Sequence, residues 1–422
     1  MNRSQLINCW GRRTFPLILA LFLALSACDL QASPAIAPSQ AVTITPPGGI
    51  TEPPIPSDIA TSIPAPTDTI LPPALPVITS PALVRIDFQD EKVGWGIAVN
   101  DGGHVVRSLD GGATWLNATP PGSGSIGYAT VLDVLDTNTI WVLVPGTDFF
   151  TGTLYRTSDG GITWSSNPVP FGGGFLQFLD SSTGRLLADR GAGAGSEAVE
   201  IFQTSDGGAT WVSVFHNDPT QPGASESLPL GGIKNGMTFL DARTGWVTGS
   251  IPQDGTVYLY ITQDGGLSWS QQDLALPAGF AAYQYLPHPP VFFGKDGFLP
   301  LVIYLPDSTG FTFFHTNDGG LTWNGDPADV NRLIKPGNPA FADALHAWSW
   351  DGVTILYSSQ DGAQTWQELT PSLDLSGRLA QLEFVPAPAG RFTGWALTNV
   401  DDSGKSQLYR TSDGINWTSL IP

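Results

Sequence analysis

Cysteine is almost missing from this chain: two residues in 422, Cys9 and Cys28. So few thiols exclude a disulfide framework and a thiolate zinc site. Histidine is scarce as well. His104, His216, His288, His315 and His346 are scattered without metal-ligand spacing, so no metal and no other cofactor is expected. Charge is thin, at 13% of residues, and one-sided, with 18 Lys plus Arg against 38 Asp plus Glu. Such a field disfavours nucleic acid and anionic lipid as partners. Phosphate-binding glycine loops and Gly-x-Ser-x-Gly elbows are missing too. Gly172-Gly173-Gly174 reads as a bend.

Glycine, proline and tryptophan are plentiful instead, at 49, 36 and 14. Many turns and many aromatics suit an all-β repeat protein. One octapeptide recurs seven times, most clearly as Thr204-Ser205-Asp206-Gly207-Gly208-Ala209-Thr210-Trp211. The copies begin at Ser108, Thr157, Thr204, Thr262, Thr316, Ser359 and Thr411, with spacings of 49, 47, 58, 54, 43 and 52 residues. That is the period of a propeller blade. A second landmark precedes several copies: Asp90, Asp136, Asp241 and Asp343 each stand five residues before a tryptophan, namely Trp95, Trp141, Trp246 and Trp348. We read a strand, a turn at the Asp, a second strand opening with Trp, a third strand, the octapeptide turn and a fourth strand. Two residues before each octapeptide lie Val106, Tyr155, Phe202, Tyr260, Phe314, Tyr357 and Tyr409, apolar groups suited to packing between sheets. The expectation is an all-β, seven-bladed propeller of four-stranded blades over residues 83–422.

The chemistry of the octapeptide is structural. Asp accepts hydrogen bonds within its own turn, Gly supplies positive φ, and Trp buries a large apolar area. The structural set is therefore Asp110, Trp115, Asp159, Trp164, Asp206, Trp211, Asp264, Trp269, Asp318, Trp323, Asp361, Trp366, Asp413 and Trp417. Two copies depart from the pattern. Ala363 replaces the second Gly in the sixth, and the seventh is one residue shorter, with Asn416 before Trp417. These units resemble Asp-box, or bacterial neuraminidase, repeats. The form Leu-Tyr-Arg-Thr-Ser-Asp-Gly at Leu154–Gly160 and Leu408–Gly414 resembles the photosystem II assembly factor family of seven-bladed propellers. That resemblance implies boxes at the blade periphery and a non-catalytic binding role.

Residues 1–27 read as an export signal. Arg3, Arg12 and Arg13 form a positive start, and Phe15–Leu25 an apolar run too short for a comfortable transmembrane helix. Leu25-Ser26-Ala27-Cys28 resembles the lipobox of bacterial lipoproteins, which implies cleavage before Cys28 and lipid on that residue. Cleavage there leaves 15 basic residues against 38 acidic ones, since every acid lies beyond the leader. The expected location is the outer face of the cytoplasmic membrane or the cell envelope, with the membrane as partner through the lipid. Residues 29–80 hold twelve prolines and no Lys or Arg. Proline lacks an N–H and fixes φ, so residues 28–82 are expected to be a disordered Pro/Thr-rich tether, barred from sheet and helix.

An enzyme reading was weighed on the same residues. Sialidases carry Phe/Tyr-Arg-Ile-Pro upstream of the first box, and Val84-Arg85-Ile86-Asp87 matches only at Arg85 and Ile86. A glycosidase needs two carboxyl groups at fixed separation. Asp87, Asp133 and Glu383 are the candidates for a central channel. Arg107, Arg156 and Arg410, each just before an octapeptide on contiguous blades, are candidates for receiving an acidic partner. The expected ligand is a protein or a glycan. A sialidase-like glycoside hydrolase and a carbohydrate-binding lectin stand as alternatives to the scaffold. The substitution Cys28→Ser is expected to abolish fatty-acid incorporation and leave the chain at its uncleaved mass. Mass spectrometry of the membrane fraction checks this, because an ordinary signal peptide would still be removed.

Overall fold

A computed structural model describes residues 75–276, 282–325, 333–334, 337–375 and 377–420. The chain divides into two units, Met1–Pro72 and Pro73–Pro422. The first unit lies outside the described residues, and with it the leader, Cys28 and most of the tether. The second is a propeller of seven antiparallel sheets, each taking its four main strands from one continuous stretch of chain. The inner strands are Leu83–Phe88, Val131–Val134, Phe175–Phe178, Ile233–Phe239, Gln284–Pro287, Asn338–Phe341 and Leu379–Ala387. They open blades one to seven in that order, as the octapeptide count predicts.

Two departures correct the sequence reading. Val77–Ile78, inside the segment expected to be barred from any sheet, forms a fifth strand on blade one. It pairs with the outer strand Trp115–Asn117, Val77 opposite Leu116 and Ile78 opposite Trp115. The Asn117 N–H donates to the Pro76 carbonyl at 2.7 Å. Pro76 and Pro81 flank this pair without interrupting it, and a proline carbonyl still accepts. The folded unit therefore reaches back to about Leu75, which packs on the core, rather than starting at residue 83. In blade five the inner edge is covered in two pieces, Gln284–Pro287 and Val291–Phe293, both paired to Asp296–Tyr304. Pro287, Pro289 and Pro290 break it, since proline cannot donate to a ladder.

The seven buried apolar clusters each draw on two neighbouring blades. Two kinds of aromatic meet there. The octapeptide Trp and the residue two before the octapeptide face the preceding blade. The Trp that opens the second strand faces the following one. Trp141 stacks on Phe178 of blade three at 3.6 Å and 3°, and Trp348 on Phe384 of blade seven at 4.0 Å and 7°. Trp395 of blade seven stacks on Phe88 of blade one at 3.8 Å and 4°. Phe298 on Phe341, and Arg185 over Phe239, take the same place at two other joints. The indole N–H groups then fasten the next blade's turn: Trp141 donates to Gly207 O at 2.8 Å and Trp395 to Gly111 O at 2.9 Å. Ring closure thus uses the ordinary joint, and among the described residues no strand is exchanged between blades one and seven.

The octapeptide turns are self-contained. Thr204 Oγ1 donates to Asp206 Oδ1 at 2.7 Å and accepts the Gly208 N–H at 3.0 Å. Asp206 in turn accepts the Thr210 N–H at 2.9 Å and its hydroxyl at 2.6 Å. Gly207 and Gly208 hold φ of 73° and 93°. In the sixth copy Ala363 adopts φ 63°, a conformation glycine takes without strain. In the shortened seventh, Asn416 Nδ2 donates to Asp413 Oδ2 at 2.7 Å, replacing the missing threonine hydroxyl.

Because closure and internal joints are alike, Trp395→Ala and Trp141→Ala should destabilise the domain similarly, each by roughly 3–5 kcal/mol. Denaturant melts of the two variants check this. A much larger loss for Trp395→Ala would show that closure is a special weak point.

Candidate functional site

The three arginines before octapeptides lie at three consecutive joints. Each stands opposite the second-strand Trp of its own blade, pairing Trp95 with Arg107, Trp141 with Arg156 and Trp395 with Arg410. The guanidinium carbons sit 5.2, 5.2 and 5.7 Å from the ring centroids, a cation–π arrangement. Arg107 donates across the joint to Gly160 O at 3.1 Å and Thr137 O at 2.9 Å, and Arg410 to Glu91 O at 3.0 Å. Arg156 lies against Gly207 of blade three. These cations therefore face neighbouring blades.

The channel wall gathers the other charged candidates. Arg85 and Asp87 of blade one, Asp133 of blade two and Glu383 of blade seven fall within one electrostatic cluster, and Arg85 acts on all three carboxylates. Glu383 Oε1 accepts the Phe88 N–H at 2.6 Å, while its Oε2 is buried without a partner. Asp133 Oδ2 accepts the Phe178 N–H at 2.8 Å. Asp87 Oδ1 accepts from Gln89 Nε2 at 2.6 Å. Two glutamines do the same work without charge. Gln177 accepts the Phe239 N–H at 2.7 Å and donates to Phe239 O at 3.0 Å, and Gln381 binds both backbone groups of Ile86. Inner-strand polar side chains thus staple blade two to three, three to four and seven to one. Burial pushes the Asp133 carboxyl up to about 7, although the Phe178 N–H and Arg85 pull it down. Burial, reinforced by Asp87, holds Glu383 well above the carboxylate range. Burial also raises Asp87 despite Arg85.

A second site was not singled out from sequence. Between blades three and four, residues 217–232 form a compact loop whose ends are tied together. Asn217, buried, accepts the Val199 N–H at 2.7 Å and donates to Leu228 O and Pro229 O. The loop encloses a cavity of about 720 Å³ lined by Asn217, Pro219, Gln221, Glu226, Pro229 and Leu230, among others. Loops of this kind are frequently functional.

Beneath it lies Lys234, 4% exposed. Its Nζ is shared by four carbonyls: Pro229 O at 2.7 Å, Glu197 O at 3.0 Å, Gly232 O at 3.1 Å and Leu230 O at 3.2 Å. The Tyr258 ring lies 5.5 Å away and Tyr258 Oη also donates to Pro229 O. Glu197 Oε2 accepts the Lys234 N–H. Burial draws the lysine down to about 8, opposed by Glu197, and pushes Glu197 up to about 7. The sequence signal for this site was the longest interval between octapeptides, 58 residues from Thr204 to Thr262. The octapeptide turns share a face with the turns between first and second strands, as the Gly111 N–H to Lys92 O bond shows. The loop, joining a fourth strand to the next first strand, lies on the opposite face.

No protein-family model matches the chain, and no curated protein matches it. Among solved structures it is similar to YCF48 bound to D1 peptide, at 18% identity over 83% of this chain and 99% of that one, TM-score 0.46. It is similar also to YCF48 from Cyanidioschyzon merolae, at 16% identity over 81% and 96%, TM-score 0.41. A Niastella koreensis GH74 enzyme shows 12% identity over 82% and 67%, TM-score 0.48. None of these figures bears on what the chain binds.

With its folded-state pKa above the ordinary 3.8, Asp133 favours folding below that value and loses the contribution as pH rises through about 7. Asp133→Asn keeps an acceptor for the Phe178 N–H and removes the charge. It should raise Tm at pH 8 by roughly 2–4 °C and change it little near pH 4. Thermal melts of both proteins across this range test the assignment.

Proposed function

We propose that the protein is a non-catalytic, extracytoplasmic binding propeller, lipid-anchored at Cys28 and held off the membrane by its proline-rich tether. The observation that carries this reading is where the repeats' chemistry goes. The octapeptide aspartates are occupied in their own turns, the three arginines in the joints, and Asp133 and Glu383 on backbone N–H groups of the next blade. What differs between repeats is the connecting loops, and the longest of them shapes a cavity. The Leu-Tyr-Arg-Thr-Ser-Asp-Gly form supports a role like that of the photosystem II assembly factors, with a protein chain as the ligand.

One observation favours a second reading. A carboxyl raised by burial to about 7, with the Asp87 carboxylate acting on it, is what a glycosidase uses as general acid. Fluorogenic sialosides and a glycan array separate the two. The binding reading expects no turnover, and expects a defined protein to cross-link to the full-length chain in its native envelope. Turnover that disappears in Asp133→Asn or Glu383→Gln would overturn it, and glycan binding without turnover would replace the scaffold with a lectin.

A further inference from the structure

The lysine cage has a consequence for the outer side of the loop. In a trans peptide the N–H points opposite to the preceding C=O. Lys234 turns the carbonyls of Pro229 and Leu230 inward, where Tyr258 Oη, Asn217 Nδ2 and the Glu197 N–H also reach them. The N–H groups of Leu230 and Gly231 must then point away from the lysine. Pro229 and Leu230 line the cavity, so the Leu230 donor lies at its wall, and Gly231 follows it directly in the chain. Neither N–H donates to another group among the described residues. Around Gly231 there is open space, with no atom within 4 Å of where a Cβ would stand.

Apart from the buried Lys234 and from His216, which acts on Asp218, the ionisable side chains beside these donors are acidic. Glu226 lines the cavity and is exposed, and Asp218 sits between the lining residues Asn217 and Pro219. The Thr220 hydroxyl and N–H hold Asp218 below the usual carboxylate range, so it is ionised at neutral pH. The loop contains no Lys or Arg between residues 217 and 232, and the whole chain is strongly acidic. Two main-chain donors flanked by carboxylates match a ligand that offers carbonyl oxygens and cations together.

We propose that this loop binds an extended peptide segment bearing lysine or arginine, its main-chain carbonyls on Leu230 and Gly231 and its cations facing Glu226 and Asp218. The inference rests on the binding-propeller reading and names the ligand for one face of it. Lys234 acts as a positioning residue that fixes which way the peptide groups face.

The test uses the full-length chain in detergent and two fluorescein-labelled peptides, Ala-Lys-Ala-Lys-Ala-Lys and Ala-Glu-Ala-Glu-Ala-Glu. Anisotropy should show binding of the lysine peptide only, weakening as salt rises. Glu226→Gln, at an exposed position, and Asp218→Asn, at a half-buried one, should each reduce affinity about threefold and together about tenfold. Hydrogen exchange in the segment 228–233 should slow when the lysine peptide is added. Equal binding of both peptides, affinity unmoved in the double variant, or unchanged exchange there would overturn the site. If the lysine peptide fails while a cross-linked protein partner is still recovered, this inference falls and the binding reading stands. Glycosidase turnover would instead remove the reading beneath it.

Discussion

The structure depends on one kind of joint repeated around a circle: a large second-strand side chain laid on the next blade, at four joints an aromatic lying flat on an aromatic of its inner strand. Seven sheets can close only if every joint subtends nearly the same angle, so a misfit at one propagates to all. The Trp–Phe stacks at 3.6–4.0 Å set that angle at three of the joints. The indole N–H then locks rotation by reaching a turn carbonyl across the gap. Where tryptophan is absent the geometry is kept by other means, Arg185 over Phe239 or Phe298 on Phe341. At the joint between blades one and two, Trp95 has no partner for its N–H, and Arg107 takes the Gly160 carbonyl instead. The cation–π pairs cover one face of Trp95, Trp141 and Trp395, and at Trp95 and Trp395 the covering arginine also hydrogen-bonds across the joint.

Much of this was legible in the sequence because it is local or periodic. Asp, Gly and Ser/Thr at fixed offsets specify a turn whose bonds all close within five residues, so Thr204–Thr210 can be read without knowing the fold. Counting those turns counts blades. The direction in which each tryptophan faces was not legible, because it depends on the neighbouring sheet. The same holds for Arg107 and Arg410, whose carbonyl acceptors are tens of residues away or at the other end of the chain, and for Arg156, which lies against Gly207. Asp87, Asp133 and Glu383 are candidates for the channel from their places on early strands, but only the closed ring brings Glu383 next to Phe88, 295 residues earlier. The Lys234 cage was invisible for a different reason. Its acceptors are backbone carbonyls, and a sequence carries no sign of where carbonyls point. Only the long interval marked the place. Val77–Ile78 was missed because proline content was read over the whole segment, whereas strand pairing is decided at two residues.

The inner ring shows glutamine and carboxylate doing one job at different cost. Gln177 and Gln381 satisfy both an N–H and a C=O of the neighbouring strand. Asp133 and Glu383 accept a single N–H and retain a charge in a poorly solvated wall. With Asp87 they make three carboxylates on adjacent blades, all raised by burial and all acted on by Arg85, so this arc carries an electrostatic cost. That this strain lies beside the junction of the first and last blades is a finding for which the packing offers no structural necessity.

The short strand Val77–Ile78 has a mechanical meaning. Every blade owns its four main strands outright, so the strand laid on blade one is an addition and the ring is complete without it. Tension arriving along the chain from the N-terminal side meets Leu75 and Pro76 and then those two residues. They can peel from Trp115–Asn117 one pair at a time, lengthening the connection, before any load reaches an inter-blade stack. The attachment yields like a fuse, and the seven blades stay closed behind it.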